Sequence, residues 1–333
     1  PFDVETGELK ASGASSAKSF TETFSEALVE IARDNPKVAA VTAAMPEGTG
    51  LDAFQKEYPA RFFNVGMAEQ HAVTFAAGLA KGGVVPVVAI YSTFMQRSYD
   101  QIIHDTCLQN LHVVFCLDRA GIVGEDGATH HGIFDIAFMR HMPNMTLLAP
   151  KDQAELKGML EYAVNRCEGP VAIRYPRGKI VAPPVLETDT PIVRGKAEVM
   201  SKEGELAILA VGSMVWPACA AAGLLFSEGI KTSLINVRFI KPIDEELLKG
   251  LASRTKRFVT VEEGVLEGGF GSAVLEFFEK EKMSDISVKR LGFPSKFVEH
   301  GRKEDLFKTY GLDAQGIASE IKKMFSKGKA VRA

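Results

Sequence analysis

Apolar residues recur at helical spacing near the start of the chain, at Phe20, Phe24 and Leu28. This spacing brings the three side chains onto one face of an amphipathic helix. Just before them, Ser19 is followed three residues later by Glu22, which is the spacing of a capping box. The pattern therefore predicts a helix that begins at Phe20 and buries one face.

Short apolar runs and helical patterns then alternate along the first half of the chain. Strands are predicted at residues 38–43, 84–90, 113–117 and 171–173, and helices at residues 68–80, 93–110 and 152–166. Strands that alternate with helices are typical of a mostly parallel sheet with helices on both faces.

A segment with three prolines, residues 181–191, interrupts this alternation, which then starts again. Further strands are predicted at residues 206–211, 232–237, 258–262 and 288–291, and helices at residues 244–251 and 271–281. We therefore expect an α/β fold with two domains, each a mostly parallel sheet flanked by helices. The predicted divisions are a linker at residues 1–18, a first domain at 19–180, a linker at 181–195 and a second domain at 196–333.

Composition narrows the class of protein. The chain has 46% apolar residues, 24% charged residues and a net charge of −3, which is ordinary for a globular protein and argues against nucleic-acid and anionic-membrane partners. No run approaches the roughly 20 apolar residues of a membrane span. The cysteines lie in apolar runs without zinc-site spacing, which predicts free thiols and a cytoplasmic location. They are Cys107, Cys116, Cys167 and Cys219.

In an open parallel sheet, ligands gather beyond the carboxyl ends of the strands, so the loops there are the places to look for chemistry. Glu69 stands at the start of the helix predicted for residues 68–80, among apolar and small residues. A carboxylate buried there needs a partner, and burial favours its protonated form. A solvated acidic residue, favoured by the helix dipole, is the open alternative.

A second group follows the strand predicted at residues 84–90. Tyr91, Phe94 and Arg97 lie three residues apart around a helix start. An aromatic pair there could stack on a flat ring while the arginine binds an anion. Core packing beside a surface arginine is the alternative.

A third group is the loop of residues 118–132, which contains several glycines and acids with Arg119, His130 and His131. Long loops in compact domains are usually functional, and histidine transfers protons near neutral pH. An incidental surface loop stays open, while the irregular spacing of possible ligands does not favour a metal site.

A fourth group, Arg174 to Gly178, ends the last strand predicted in the first domain. Its two arginines, Arg174 and Arg177, flank a proline turn and could hold a phosphate or carboxylate. Two ordinary surface arginines are equally compatible with the pattern.

Together these segments carry a resemblance. The runs AEQHAVTFAAGLA, YSTFMQRSYDQ, DRAGIVGEDGATHHGIFD and RYPRG resemble the thiamine diphosphate enzymes of the transketolase group, above all the 1-deoxy-D-xylulose-5-phosphate synthase family. The resemblance extends from about residue 19 to about residue 324. It implies a transferase that condenses pyruvate with D-glyceraldehyde 3-phosphate, releases carbon dioxide and forms 1-deoxy-D-xylulose 5-phosphate, a precursor of isoprenoids and thiamine.

The resemblance also implies roles for individual residues. In this group a glutamate contacts nitrogen N1′ of the cofactor's aminopyrimidine and an aromatic ring stacks on it; Glu69 and Phe94 fall on these positions, and Glu69 is thereby catalytic. His130 falls near the reacting carbons, where it transfers a proton or orients the substrate. His131 stands where an amide side chain is expected. The implied substrate-binding residues are Tyr91, Arg97, Arg119, Asp126, His130 and Arg177.

The resemblance further implies partners. The family holds Mg²⁺ and the cofactor's diphosphate on an N-terminal domain with a Gly-Asp-Gly motif, which this sequence lacks. Pro1 and the linker-like residues after it suggest a piece of something longer, so we expect an N-terminal domain or partner chain to supply that half of the site. The implied assembly is a homodimer, with Glu262, Glu263 and residues 268–271 shaping an interface.

Alternatives share this domain order. The C-terminal subunit of a split transketolase and the β subunit of a 2-oxo acid dehydrogenase both carry a pyrimidine-binding glutamate. The loop of residues 126–135 favours the synthase. Retention of Glu69, Phe94 and His130 argues against a non-enzymatic interaction module.

Overall fold

A computed structural model describes residues 18–179, 190–202 and 204–326. The predicted linker at residues 1–18 lies outside the described residues except for Lys18, and most of the linker predicted at residues 181–195 also lies outside them. The described part has two sheets flanked by helices, which confirms the predicted α/β fold.

The first sheet has seven strands in the order β10-β5-β6-β4-β3-β1-β2. All neighbours in it are parallel except β10 and β5. Parallel strands covered on both faces are buried runs of apolar residues, and β1, β4 and β6 are buried throughout. The strands are β1 (Val38–Thr42), β2 (Phe62–Asn64), β3 (Val85–Tyr91), β4 (Val114–Asp118), β5 (Thr146–Leu148), β6 (Val171–Arg174) and β10 (Phe239–Lys241).

Side chains cap the first and the last of the helices around the first sheet. The predicted capping box is confirmed, because Ser19 and Glu22 each accept a backbone N–H of the other residue. Asp152 caps the helix that follows it by accepting the Glu155 N–H. The helices are α1 (Phe20–Asp34), α2 (Asp52–Glu57), α3 (Glu69–Lys81), α4 (Ser92–Met95), α5 (Tyr99–Gln101), α6 (Asp135–Met139) and α7 (Gln153–Asn165).

The helix predicted at residues 93–110 is irregular. After α4 the chain passes through a 3₁₀ turn (Gln96–Ser98), α5 and a π-helical segment (Ile102–Cys107). The Ser98 hydroxyl donates to the Met95 carbonyl at 3.0 Å, a local bond that competes with the regular α-helical ladder. The irregularity turns the chain just beyond Phe94.

The second sheet has five strands in the order β12-β11-β8-β9-β7, parallel except for the edge strand β7. Its strands are β7 (Glu198–Ser201), β8 (Ala207–Ala210), β9 (Ser233–Asn236), β11 (Arg257–Val265) and β12 (Ser287–Phe293). The surrounding helices are α8 (Val215–Ser227), α9 (Glu245–Ala252), α10 (Phe270–Lys280), α11 (Lys303–Thr309) and α12 (Ala314–Ser326).

The two sheets are joined by backbone pairing and by a shared core. Strand β10 follows β9 in the chain but pairs antiparallel with β5, with Phe239 opposite Leu148. Buried Leu147 and Met139 of the first domain belong to the same apolar cluster as Leu209 and Phe258 of the second. Burial of this shared apolar surface favours keeping the two sheets together.

A buried group of charged and amide side chains also crosses the domain boundary, and we call it the ionic cluster. It consists of Lys151, Glu155, Glu198, Asn236 and Arg238, each at most 5% exposed. Arg238 Nε donates to Glu155 at 2.5 Å, and Lys151 Nζ lies 3.1 Å from Glu198. Asn236 donates to both carboxylates, so neither buried acid is left without a donor.

Candidate active site

The side chains singled out from the sequence lie around the carboxyl ends of the parallel strands in the first sheet. Tyr91 is the last residue of β3, and Asp118 is the last residue of β4. Glu69 opens α3, which follows β2, and Arg177 comes three residues after β6 ends. Because these strands are parallel, their loops meet at one edge of the sheet.

Glu69 is buried, with 6% of its surface exposed, so it is not the solvated helix-terminal residue of the alternative interpretation. Its carboxylate lies 3.6 Å from the guanidinium of Arg97, whose side chain is 66% exposed. Among the described residues no group donates a hydrogen bond to this carboxylate. A buried carboxyl with one distant partner retains the capacity to bind a ligand's donor group.

A stack of aromatic side chains lies at the end of β3 and the start of α4. The rings of Tyr91 and Phe94 are nearly parallel, 16° apart with centroids 5.5 Å from each other. His130 meets Phe94 edge-on at 5.4 Å, which places the long loop against the start of α4. Burial is the main cause that raises the pKa of the Tyr91 hydroxyl. Phe94 therefore contacts both Tyr91 and His130.

Arg119 covers the other side of Tyr91, with its guanidinium carbon 4.1 Å from the ring centroid. It is already paired, because it lies 2.9 Å from Asp118 and donates to the Gly48 carbonyl at 2.6 Å. Its backbone has a φ of 58°, which residues other than glycine rarely adopt. Its guanidinium is therefore held in place before any substrate arrives.

Asp118 is a site residue that we did not single out from the sequence. It is fully buried, and burial raises the pKa of its carboxyl, although Arg119 and the Thr21 hydroxyl oppose that rise. Thr21 donates to it at 2.8 Å. The signal in the sequence was a carboxylate that ends a buried apolar run directly before Arg119.

The two arginines of the fourth group have different surroundings. Arg177 is half-exposed and lies 2.6 Å from Asp126 of the long loop. Arg174 is buried and donates to Asp135 and to the Glu263 carbonyl, both at 2.9 Å. Only Arg177 is accessible to a ligand, so the interpretation of two arginines holding one anion is wrong.

The structure also separates the two adjacent histidines. His130 is partly buried, and its Nδ1 lies 2.9 Å from the Thr129 hydroxyl. His131 is buried: its Nδ1 accepts the Val123 N–H at 3.2 Å, and its Nε2 lies 3.1 Å from the Glu299 carbonyl. A ring with one accepting and one donating nitrogen is neutral. Burial lowers the pKa of His131, in agreement with that neutral state.

The glutamates expected to shape a dimer interface lie elsewhere. Glu262 and Glu263 are completely buried inside the chain, so neither can contact a second copy. Glu262 accepts the first backbone N–H groups of α10, from Phe270 at 2.7 Å and Gly271 at 2.8 Å. The interface interpretation of these two residues is wrong, because their carboxylates satisfy backbone amides within the chain.

Across residues 18–179, 190–202 and 204–326, no three His, Cys, Asp or Glu side chains are grouped so that they could hold a metal ion. Within the same ranges, no helix combines the length and apolar character needed to cross a membrane.

The fold and site match known proteins. The family model for the pyrimidine-binding domain of transketolase matches residues 16–181, and the model for the transketolase C-terminal domain matches residues 195–317. A solved structure described as a split gene transketolase, an inactive beta4 tetramer, superposes with a TM-score of 0.81 at 34% identity, covering 92% of this chain and 98% of that one. The chain therefore belongs to the transketolase family.

Curated relatives narrow the resemblance within that family. A 1-deoxy-D-xylulose-5-phosphate synthase of Syntrophus aciditrophicus is 53% identical over 99% of this chain. A second, from Geobacter sulfurreducens, is 53% identical over 96% of it. The chain covers 51% and 50% of these proteins, so it spans about half their length. The resemblance found in the sequence motifs is confirmed.

The transketolase of Campylobacter jejuni adds support for the fold. It superposes with a TM-score of 0.76 at 20% identity, over 95% of this chain and 48% of its own length.

Proposed function

We propose that this chain is the pyrimidine-binding and C-terminal part of a 1-deoxy-D-xylulose-5-phosphate synthase. The complete enzyme condenses pyruvate with D-glyceraldehyde 3-phosphate and releases carbon dioxide. Identity of about 50% to curated synthases over nearly the whole chain supports this choice within the transketolase family.

The buried carboxyl of Glu69 is the observation that carries the proposal. It has free acceptor capacity, and the nearby aromatic stack offers the face of Phe94, which is only partly buried. These residues fit an aminopyrimidine, a flat ring with nitrogens that need a hydrogen-bonding partner. Thiamine diphosphate, when bound, supplies the electron sink that decarboxylation of pyruvate requires.

Glu69 and Phe94 hold the pyrimidine by different interactions, a hydrogen bond and ring stacking. The Glu69 carboxyl, which is shielded from water, would form a hydrogen bond with a ring nitrogen. Phe94 sets the plane of the ring by stacking. Arg97, three residues beyond Phe94 and 3.6 Å from Glu69, contributes a positive charge at the mouth of the site.

The other end of the site is suited to a phosphorylated aldehyde. Arg177 reaches solvent and exchanges its contact with Asp126 for one with the phosphate. Tyr91, with the Arg119 guanidinium over its ring, lines the same end of the proposed site. His130 is on the same loop as Asp126, meets Phe94 edge-on, and moves or holds a proton of the reacting carbonyl.

The remaining parts of the catalytic centre are assigned outside this chain. The described residues offer no carboxylate cluster for a metal ion, so we assign Mg²⁺ and the cofactor's diphosphate to an N-terminal domain or partner chain. We also propose a cytoplasmic homodimer.

A split transketolase is the second candidate, since a protein of that description covers 92% of this chain at 34% identity. The experiment joins the chain to its diphosphate-binding half and offers two substrate pairs. Pyruvate with D-glyceraldehyde 3-phosphate tests the synthase, and xylulose 5-phosphate with ribose 5-phosphate tests the transketolase.

The synthase releases carbon dioxide from the first pair only. Ketol transfer with the second pair, without release of carbon dioxide from the first, overturns the proposal. Glu69→Ala in the same preparation shows whether any activity belongs to this site.

A further inference from the structure

The long loop between β4 and α6 carries Asp126 and His130, yet little of it is regular structure. Its base is closed by two backbone hydrogen bonds between Gly121 and Gly132, at 2.8 and 2.7 Å. Between those residues, Gly124 and Gly127 have positive φ angles that other residues rarely adopt. The tip of the loop therefore depends on contacts outside the loop for its position.

The first such contact comes from β11 of the second domain. Glu263 Oε1 accepts the N–H of Ile122 at 2.8 Å and lies 2.9 Å from Lys303 Nζ, while Ser213 donates to Oε2. The carboxylate is fully buried, and the Ile122 amide is buried with it. A Cβ on Gly121 would lie only 2.3 Å from Glu263 Cδ, so the loop approaches this carboxylate as closely as glycine permits.

The second contact comes from residues 299–303, which lead into α11. His131 bonds the Glu299 carbonyl through Nε2, and the Gly301 N–H donates to the Gly124 carbonyl at 3.3 Å. A Cβ on Gly127 would lie 3.1 Å from the Cβ of His300, so that side chain packs directly on the turn before His130. The second domain thus holds the loop at both Ile122 and His131.

We propose that Glu263, Lys303 and His131 are positioning residues, which fix the loop so that Asp126 and His130 face the reaction site. None of the three touches the aromatic stack, so they act through the loop backbone. Breaking the contacts leaves a buried amide or a buried carboxylate without its partner, and the loop must open to rehydrate it. The catalytic consequence rests on the proposed function, whereas the structural consequence does not.

The test is made in the complete enzyme with Lys303→Met and Glu263→Met, and with Lys289→Met as the matched control. Lys289 forms a 2.8 Å salt bridge with Glu320 in the same domain, and this pair does not contact the loop. Hydrogen–deuterium exchange of residues 119–132 reports the loop, and steady-state kinetics report turnover.

Both loop variants are expected to exchange the Ile122 amide at least tenfold faster than the control and to lower kcat more than the KM for pyruvate. Lys303 is partly exposed, so its variant keeps the test available if Glu263→Met fails to fold. His131→Gln, whose amide replaces one donor and one acceptor, is expected to retain the slow exchange that His131→Ala loses.

Loop exchange equal to that of Lys289→Met overturns the proposal. Faster exchange with unchanged kcat overturns the positioning role in catalysis. Absence of synthase turnover in the unmodified enzyme contradicts the proposed function instead, and the exchange comparison still decides whether these residues fix the loop.

Discussion

Glu69 is buried at the start of a helix whose next two residues, Gln70 and His71, are exposed. Its carboxyl has only one charge partner, and that partner is distant. Burying a carboxyl without a hydrogen-bond donor costs stability. A ligand that bonds to it offsets that cost. This cost supports the ligand-binding role that we propose for Glu69.

Replacing Glu69 with glutamine in the complete enzyme is expected to lower turnover at least about 100-fold, because proton transfer by a positioned side chain is worth that much or more. The fold is expected to keep its thermal midpoint or gain stability. The measurements are the steady-state rate and exchange of the cofactor's C2 proton. Glu57→Gln, the same change on exposed α2, is the control; near-normal C2 exchange in Glu69→Gln contradicts the role.

A second prediction concerns the replacement of Arg177. Its replacement by alanine removes one charge-assisted contact to a phosphate, worth about 1.5–3 kcal/mol. The KM for D-glyceraldehyde 3-phosphate is expected to rise roughly 10- to 150-fold, with a much smaller change for pyruvate. Kinetics with each substrate varied in turn provide the measurement. Arg166→Ala removes another exposed arginine that pairs with Glu161 and is the control; equal effects on both substrates refute the assignment.

The sequence indicated which loops to look at, but not how their side chains pair. Tyr91, Phe94 and His130 lie at or after the ends of parallel strands, which deliver their loops to one edge of the sheet. Local sequence could not distinguish buried Arg174 from exposed Arg177, because Arg174 is paired by Asp135 and by β11 of the other domain. Contacts between residues far apart in the chain leave no periodic signal in either segment.

Helix α10 begins at the buried carboxyl of Glu262, which accepts its first backbone N–H groups. Burial raises the pKa of Glu262 to about 7, although the N–H groups of Gly271 and Phe270 oppose that rise. The folded protein therefore holds this proton at pH values where the unfolded chain, with an ordinary value of 4.5, has lost it. Its contribution to stability is largest below pH 4.5 and is lost as the pH rises through about 7.

Glu262→Gln is expected to remove this dependence, because an amide does not titrate. Urea unfolding of both proteins between pH 5 and pH 8 measures it: the free energy of unfolding of the unmodified protein, relative to the variant, should decline with rising pH and then level off. Glu279→Gln, on the exposed face of the same helix, should retain the original slope. A relative stability that increases with pH contradicts the sign.

Elements were predicted where the apolar run was long enough. The runs at residues 84–90 and 113–117 correspond to β3 and β4 within one residue at each end. Strands β5 and β10 were not predicted, since each has three residues and a pattern of that length resembles a loop. These strands form because neighbouring strands of the sheet pair with them, and not because their own sequence favours a strand.

The ionic cluster joins the two domains through buried ion pairs. Arg238→Met leaves Glu155 and Glu198 without their guanidinium, and removing one partner of such a buried group costs about 3–5 kcal/mol. Urea unfolding is expected to show that loss. Lys157→Met, which breaks an exposed pair with Glu30, should change the unfolding curve little. Equal effects of the two substitutions would show that the cluster is not needed.

Because β10 forms one border of the seven-stranded sheet, a fragment that ends near residue 180 would lack that border. The amides and carbonyls of Thr146–Leu148 would then face water or a neighbouring molecule, and an uncovered edge strand invites self-association. Anyone who dissects this protein should therefore carry the N-terminal unit through Lys241, the last residue of β10, even though β7, β8 and β9 of the other sheet come with it.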